Sequence, residues 1–170
     1  MNKNLLGLLA RYILLILIGL GNLWIIYYIA SPLTIYASFL VLKMFSNVSL
    51  AGNAIHMSSS VIEIVSACIA GAAYYFLLIL NLSTPMVIEK RIKSILFLLT
   101  TFFIINIARI VIFSYFFIYG FTFTDITHKI TWYFGSTVLL ILIWFTSAKL
   151  FEIKSIPFYS DFKSIKKLLS

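Results

Sequence analysis

The chain has 170 residues, of which 62% are hydrophobic and only 11% charged, and its formal net charge is +8. That balance excludes a soluble globular enzyme and predicts an all-α integral membrane protein, with room for one compact membrane-embedded domain (1–170) and no separate soluble one. A single cysteine excludes an intrachain disulfide and a multi-cysteine zinc site.

Four apolar segments are long enough to predict transmembrane helices: about Leu5 to Ala30, Ala67 to Leu82, Ser94 to Tyr119 and Ile130 to Ala148. The first lacks a small-residue cleavage site and reads as a retained helix, not a removable signal. Between the first two lies Leu33 to Phe45, which at 1.5 Å per residue reaches only ~20 Å against a ~30 Å hydrocarbon core. It is expected to form a short outer-face interfacial or re-entrant helix. The polar stretch from Asn47 to Ser66 carries a Gly52-Asn53 turn signal and an alternation through Val61, Glu63 and Val65, which predicts a small hairpin.

Basic residues then orient the spans. Lys3, the group Lys90, Arg91 and Lys93, and the series Lys149, Lys154, Lys163, Lys166 and Lys167 form one consistent cytoplasmic set. They read as topology determinants and not as a nucleic-acid surface. The expected location is the cell membrane, multi-pass, with both termini cytoplasmic. The core runs from about 32 to 150, and residues 156–170 form a basic tail along the inner leaflet. Trp24, Trp132 and Trp144 read as interfacial or lipid-facing residues.

The reactive groups fall in one layer. Cys68 opens the second span on the outer side, and His128 precedes the fourth span on that side. Arg109 lies about 22 Å up the third helix from Ser94. Asn106 shares its face. An arginine at this depth is costly and is a functional-site hypothesis. In acyl transfer Cys68 is the candidate nucleophile, its thiolate favoured by a helix N-terminus that Ser66 would cap. His128 is the candidate general acid and base, and Arg109 the stabiliser of thiolate or oxyanion. Asn106 would add a donor or hold the arginine, and Asp125 would either orient His128 or cap the last helix. His56 has no assigned role, Glu63 reads as a surface residue that could instead rim the pocket, and Arg91 as a topology charge. No metal or cofactor is expected.

These residues resemble the exosortase and archaeosortase family of membrane cysteine transpeptidases, most closely its small archaeal members. Leu33-Thr34 resembles the family's "LT" segment, Ala67-Cys68 its cysteine motif, Asn106-Ile107-Ala108-Arg109 its N-x-x-R motif and His128 its histidine. The resemblance covers about Pro32 to Leu150. The family usually reads Cys-Ser-Gly, whereas Cys68 is followed by Ile69-Ala70-Gly71.

The resemblance implies a sorting enzyme for exported proteins that carry a C-terminal motif, a transmembrane helix and a basic cluster. Cysteine attack would give an acyl-enzyme, and transfer to a membrane lipid acceptor would complete the reaction at the extracytoplasmic face. Two alternatives stay open: a cysteine protease whose acceptor is water, and a non-enzymatic assembly subunit in which Arg109 pairs with a partner helix.

Overall fold

The computed structural model describes residues 3–57, 60–120, 135–157 and 159, with side chains from residue 6 onward. In chain order it has helices α1 (Lys3–Gly19) and α2 (Trp24–Phe45), strands β1 (Val48–Ala51), β2 (Ala54–Met57) and β3 (Ser60–Glu63), and helices α3 (Ser66–Ile69), α4 (Gly71–Leu82), α5 (Ile88–Ile118) and α6 (Ser136–Leu150). The chain is mostly helical, but it is not all-α, because a three-stranded antiparallel sheet of order β1-β2-β3 stands between α2 and α3. The expected hairpin is present at Gly52-Asn53 and is extended by a third strand. The register pairs Leu50 with Ile55 and Ile55 with Ile62.

Among the described residues two helices, α2 and α5, are long and apolar enough to cross a membrane, and the first part of the fourth predicted span, residues 130–134, lies outside them. The expected span from Leu5 to Ala30 is broken, since Gly21, Asn22 and Leu23 all take positive φ (68°, 55° and 61°). Such backbone is left-handed, and a helix cannot run through it. The expected short helix from Leu33 is instead the continuation of α2, which runs through Pro32. The proline removes one helical hydrogen bond without ending the helix, a loss that packed apolar helices tolerate. Likewise the second predicted span is split at Ala70, which leaves α4 with 12 residues.

The helices bury their polar faces and expose their apolar ones. On α5 the buried set includes Arg91, Ser94, Asn106 and Ser114, whereas Ile92, Leu96, Ile104, Ile112 and Phe117 are exposed. On α2 the buried residues are Thr34, Ser38 and Leu42, with Leu33, Tyr36 and Leu40 outside. Two apolar clusters fill the interior. One joins Tyr74 and Leu77 of α4, Leu98 and Phe102 of α5, and Leu140, Ile143 and Trp144 of α6. Trp144 is therefore a core residue, not the lipid-facing one expected. The other joins Leu42, Ile69 and Ile110 to the inner face of the sheet through Ile55, Met57 and Ile64.

At the far end of the bundle from the sheet, Arg91, expected as a topology charge, is buried. Its guanidinium donates to the carbonyl of Asn81 at 2.7 Å and to that of Thr84 at 2.9 Å. The Asn81 amide donates to Ser94 Oγ, and Ser94 meets Ser147 Oγ, both at 2.8 Å. This network ties α4, α5 and α6 together where helix carbonyls would otherwise go unsatisfied. Arg11 of α1 reaches the neighbouring Leu82 carbonyl at 3.0 Å. Arg91→Met is expected to cost roughly 3 kcal/mol, because buried carbonyls lose charge-assisted partners. Lys93→Met removes only an exposed Lys93–Glu89 pair and is expected to change stability by less than about 0.5 kcal/mol. Denaturation in mild detergent, followed by tryptophan fluorescence, checks the difference.

Candidate active site

Cys68 is the third residue of α3, a single helical turn, and not the head of a long helix. The residue flanking this turn is Val65, with no side-chain cap, so Ser66 does not play the capping part expected of it. A four-residue helix has little macrodipole to favour a thiolate. What fixes the turn comes from outside it. Asn106 Nδ2 donates to the Cys68 carbonyl at 2.9 Å, and an Arg109 guanidinium nitrogen approaches the same oxygen at 3.5 Å.

The turn then reverses at Ala70, whose φ of 57° is left-handed, and α4 begins at Gly71. A Cβ at Gly71 would stand 2.7 Å from the Tyr27 ring. The glycine that follows the cysteine is thus required for close packing against α2, while the left-handed conformation falls on an alanine. This accounts for the use of glycine in Cys68-Ile69-Ala70-Gly71.

Three of the five site residues expected from sequence are accordingly brought together: Cys68, Asn106 and Arg109. His128 and Asp125 lie outside the described residues. Of the two N–H donors on the Asn106 amide, one is committed to the Cys68 backbone. Its buried Oδ1 has no hydrogen-bond partner among the described residues. Arg109 is half-buried and close enough to Cys68 for a charge on the sulfur to act on it.

Cys68 and Arg109 line a pocket of about 330 Å³. It is also lined by Val61 to Val65, from β3 and the two residues after it, and by Phe113 and Phe117 of α5. Glu63 belongs to this rim. It is exposed, as the surface reading expected, and its carboxylate accepts from Asn53 Nδ2 at 3.0 Å. The alternation through Val61, Glu63 and Val65 was the only signal in the sequence for this lining. His56 is exposed on β2, away from this pocket. Among the described residues no group of three His, Cys, Asp or Glu side chains could hold a metal.

No protein-family model, curated protein or solved structure matches the chain. The residues of the pocket therefore carry the functional argument.

The packing at the turn makes opposite demands on its two small residues. Gly71→Ala is expected to destabilise by about 2 kcal/mol through overpacking on Tyr27. Ala70→Gly is expected to stay within about 0.5 kcal/mol of the parent, because relief of left-handed strain offsets the lost restriction of the unfolded chain. Paired melting curves in one detergent measure both.

Proposed function

We propose that the chain is a membrane-embedded cysteine transpeptidase of the exosortase and archaeosortase kind, processing exported proteins that carry a C-terminal motif, a transmembrane helix and a basic cluster. The observation that carries this reading is the meeting of the only cysteine with a half-buried arginine at one pocket beside a strand. A lone thiol beside a fixed cation in a poorly solvated site suits nucleophilic attack on a carbonyl. The Cys68 thiolate would attack the peptide carbonyl. The C–N bond then breaks, the amine leaves with a proton supplied by His128, and a thioester remains. A nucleophilic group of a membrane lipid would attack that thioester, pass its proton to His128, form the new bond and release the thiolate. Arg109 would stabilise the negative charge on sulfur or oxygen in both steps, and Asp125 would orient His128.

Embedding in the cell membrane belongs to the same proposal. Buried polar stripes and exposed Leu, Ile and Phe on α2 and α5 are the reverse of a soluble surface and suit lipid. Four crossings follow if α1 and α2 together make one ascent with a break at Gly21. Then α3 with α4, α5, and the segment ending in α6 make the others. Arg11, Lys90, Arg91, Lys93 and Lys149 gather at the end opposite the sheet, which supports a cytoplasmic assignment for that end and an extracytoplasmic one for Cys68.

A non-enzymatic reading has one observation of its own in its favour. Asn106 and Arg109 both reach the carbonyl of Cys68, as a purely structural latch would. The two readings part on the thiol. For a transpeptidase, Cys68→Ala and Arg109→Ala each lower processing of a tagged substrate in cells by about 1,000-fold or more, while the chain still accumulates in the membrane. Full processing by Cys68→Ala would exclude enzymatic use of the thiol. The mass of the product then separates transfer from hydrolysis, a lipid adduct against a free carboxylate.

A further inference from the structure

The pocket is lined by every residue from Val61 to Val65 in succession. Side chains alternate between the two faces of a strand, so a pocket that meets consecutive residues meets the strand's edge and not one of its faces. Exposure follows that alternation: Val61, Glu63 and Val65 are exposed, whereas Ile62 is half-buried and Ile64 is buried against the core. Strand β3 is an outer strand of the sheet, paired with β2 on one side.

Register identifies which backbone groups face the pocket. The Ile64 N–H donates to the Asn53 carbonyl at 2.9 Å, which makes that opposed pair a hydrogen-bonded one. In an antiparallel ladder such pairs alternate with non-bonded ones. The pair Ile55 and Ile62 is therefore also bonded, while Val61, opposite His56, and Glu63, opposite Ala54, are not. The N–H and C=O groups of Val61 and Glu63 thus point away from β2, toward the pocket edge. Among the described residues no strand pairs with that edge.

We infer that the substrate is held as an extended strand added to β3, its backbone pairing with Val61 and Glu63 and its scissile carbonyl delivered to Cys68. This rests on the transpeptidase reading above and adds how that site takes its peptide. The occupant is an extended polypeptide because the groups on offer are alternate main-chain donors and acceptors, which only another main chain in β conformation matches in spacing. Continuity with the site supports it, since the edge leads through Ile64 and Val65 directly into the turn bearing Cys68. From Val61 to Val65 the edge runs about 13 Å, enough for four or five substrate residues. Side-chain demands would be slight along this stretch, because the pairing is through the main chain.

Alkylation of the full-length chain in lipid nanodiscs tests the inference. The probe is a hexapeptide of alternating Thr and Val ending in a chloromethyl ketone, and acetyl-valyl chloromethyl ketone carries the same reactive group without a strand to pair. Strand addition predicts that the hexapeptide modifies Cys68 at least about tenfold faster at equal concentration, the equivalent of about 1.4 kcal/mol. N-methylation of every second peptide bond in one phase then abolishes that advantage, and N-methylation in the other phase leaves it. A reactive Cys68 that shows no advantage for the hexapeptide, or one lost equally in both phases, overturns strand addition and leaves the thiol chemistry standing. A Cys68 inert to both reagents overturns the enzymatic reading and the inference with it.

Discussion

The hydrogen bond from Asn106 to the carbonyl of Cys68 holds the thiol in place. A turn as short as α3 has no stability of its own, because nucleating a helix fixes several dihedrals for one hydrogen bond. Its neighbour Ala70 adds backbone strain. The turn persists because α5 holds its carbonyl from one side and Tyr27 of α2 closes on Gly71 from another. Position of the sulfur is therefore a property of three elements, of which α3 contributes least.

Helix α5 can do this because it is pinned at both ends of its contact with α4. Near its start, Ser94 accepts from Asn81, and Arg91 holds the carbonyls that end α4. About three and a half turns later, Asn106 reaches Cys68, in the turn that precedes α4. Two polar rungs separated by similar lengths of the two chain segments fix their relative slide, with Leu77, Leu98 and Phe102 packed between them. Apolar packing alone would not, since Leu and Phe tolerate sliding against one another better than a buried hydrogen bond does. The arginine at one end and the asparagine at the other are thus parts of one alignment device, although only one of them lies near the pocket.

Much of this was legible in the sequence as composition and order, and less as geometry. The grouping of Cys68, Asn106 and Arg109 followed from counting helical rise, because depth along a helix is nearly linear in residue number. The turn at Gly52-Asn53 was legible from its residue types. The helix breaks were not. Gly21 and Asn22 permit left-handed backbone without demanding it, and Leu23 and Ala70 give no local sign of it, so tertiary packing decided where the helices stopped. The division between Ala30 and Leu33 failed in the other direction, since α2 runs through it and carries Pro32 within it. Arg91 was read as a topology charge because it stands between Lys90 and Lys93 in one basic group. Its burial depends on the carbonyls at the end of α4, which no local pattern announces.

Buried polar atoms divide the bundle in a second way. Thr34 Oγ1, Ser38 Oγ, Tyr74 Oη and Asn106 Oδ1 are buried and have no hydrogen-bond partner among the described residues. Thr34 and Ser38 lie on α2 between Ala30, which touches both apolar clusters, and Leu42, which belongs to the cluster under the sheet. Asn106 lies on α5 between Phe102 of one cluster and Ile110 of the other. Tyr74 belongs to the first of these clusters itself, so such atoms stand within the apolar packing as well as between its two halves. Ser94 and Ser147, by contrast, satisfy each other at the other end of the bundle, so the polar residues that lock α5 to α6 are distinct from those that stand between the two clusters.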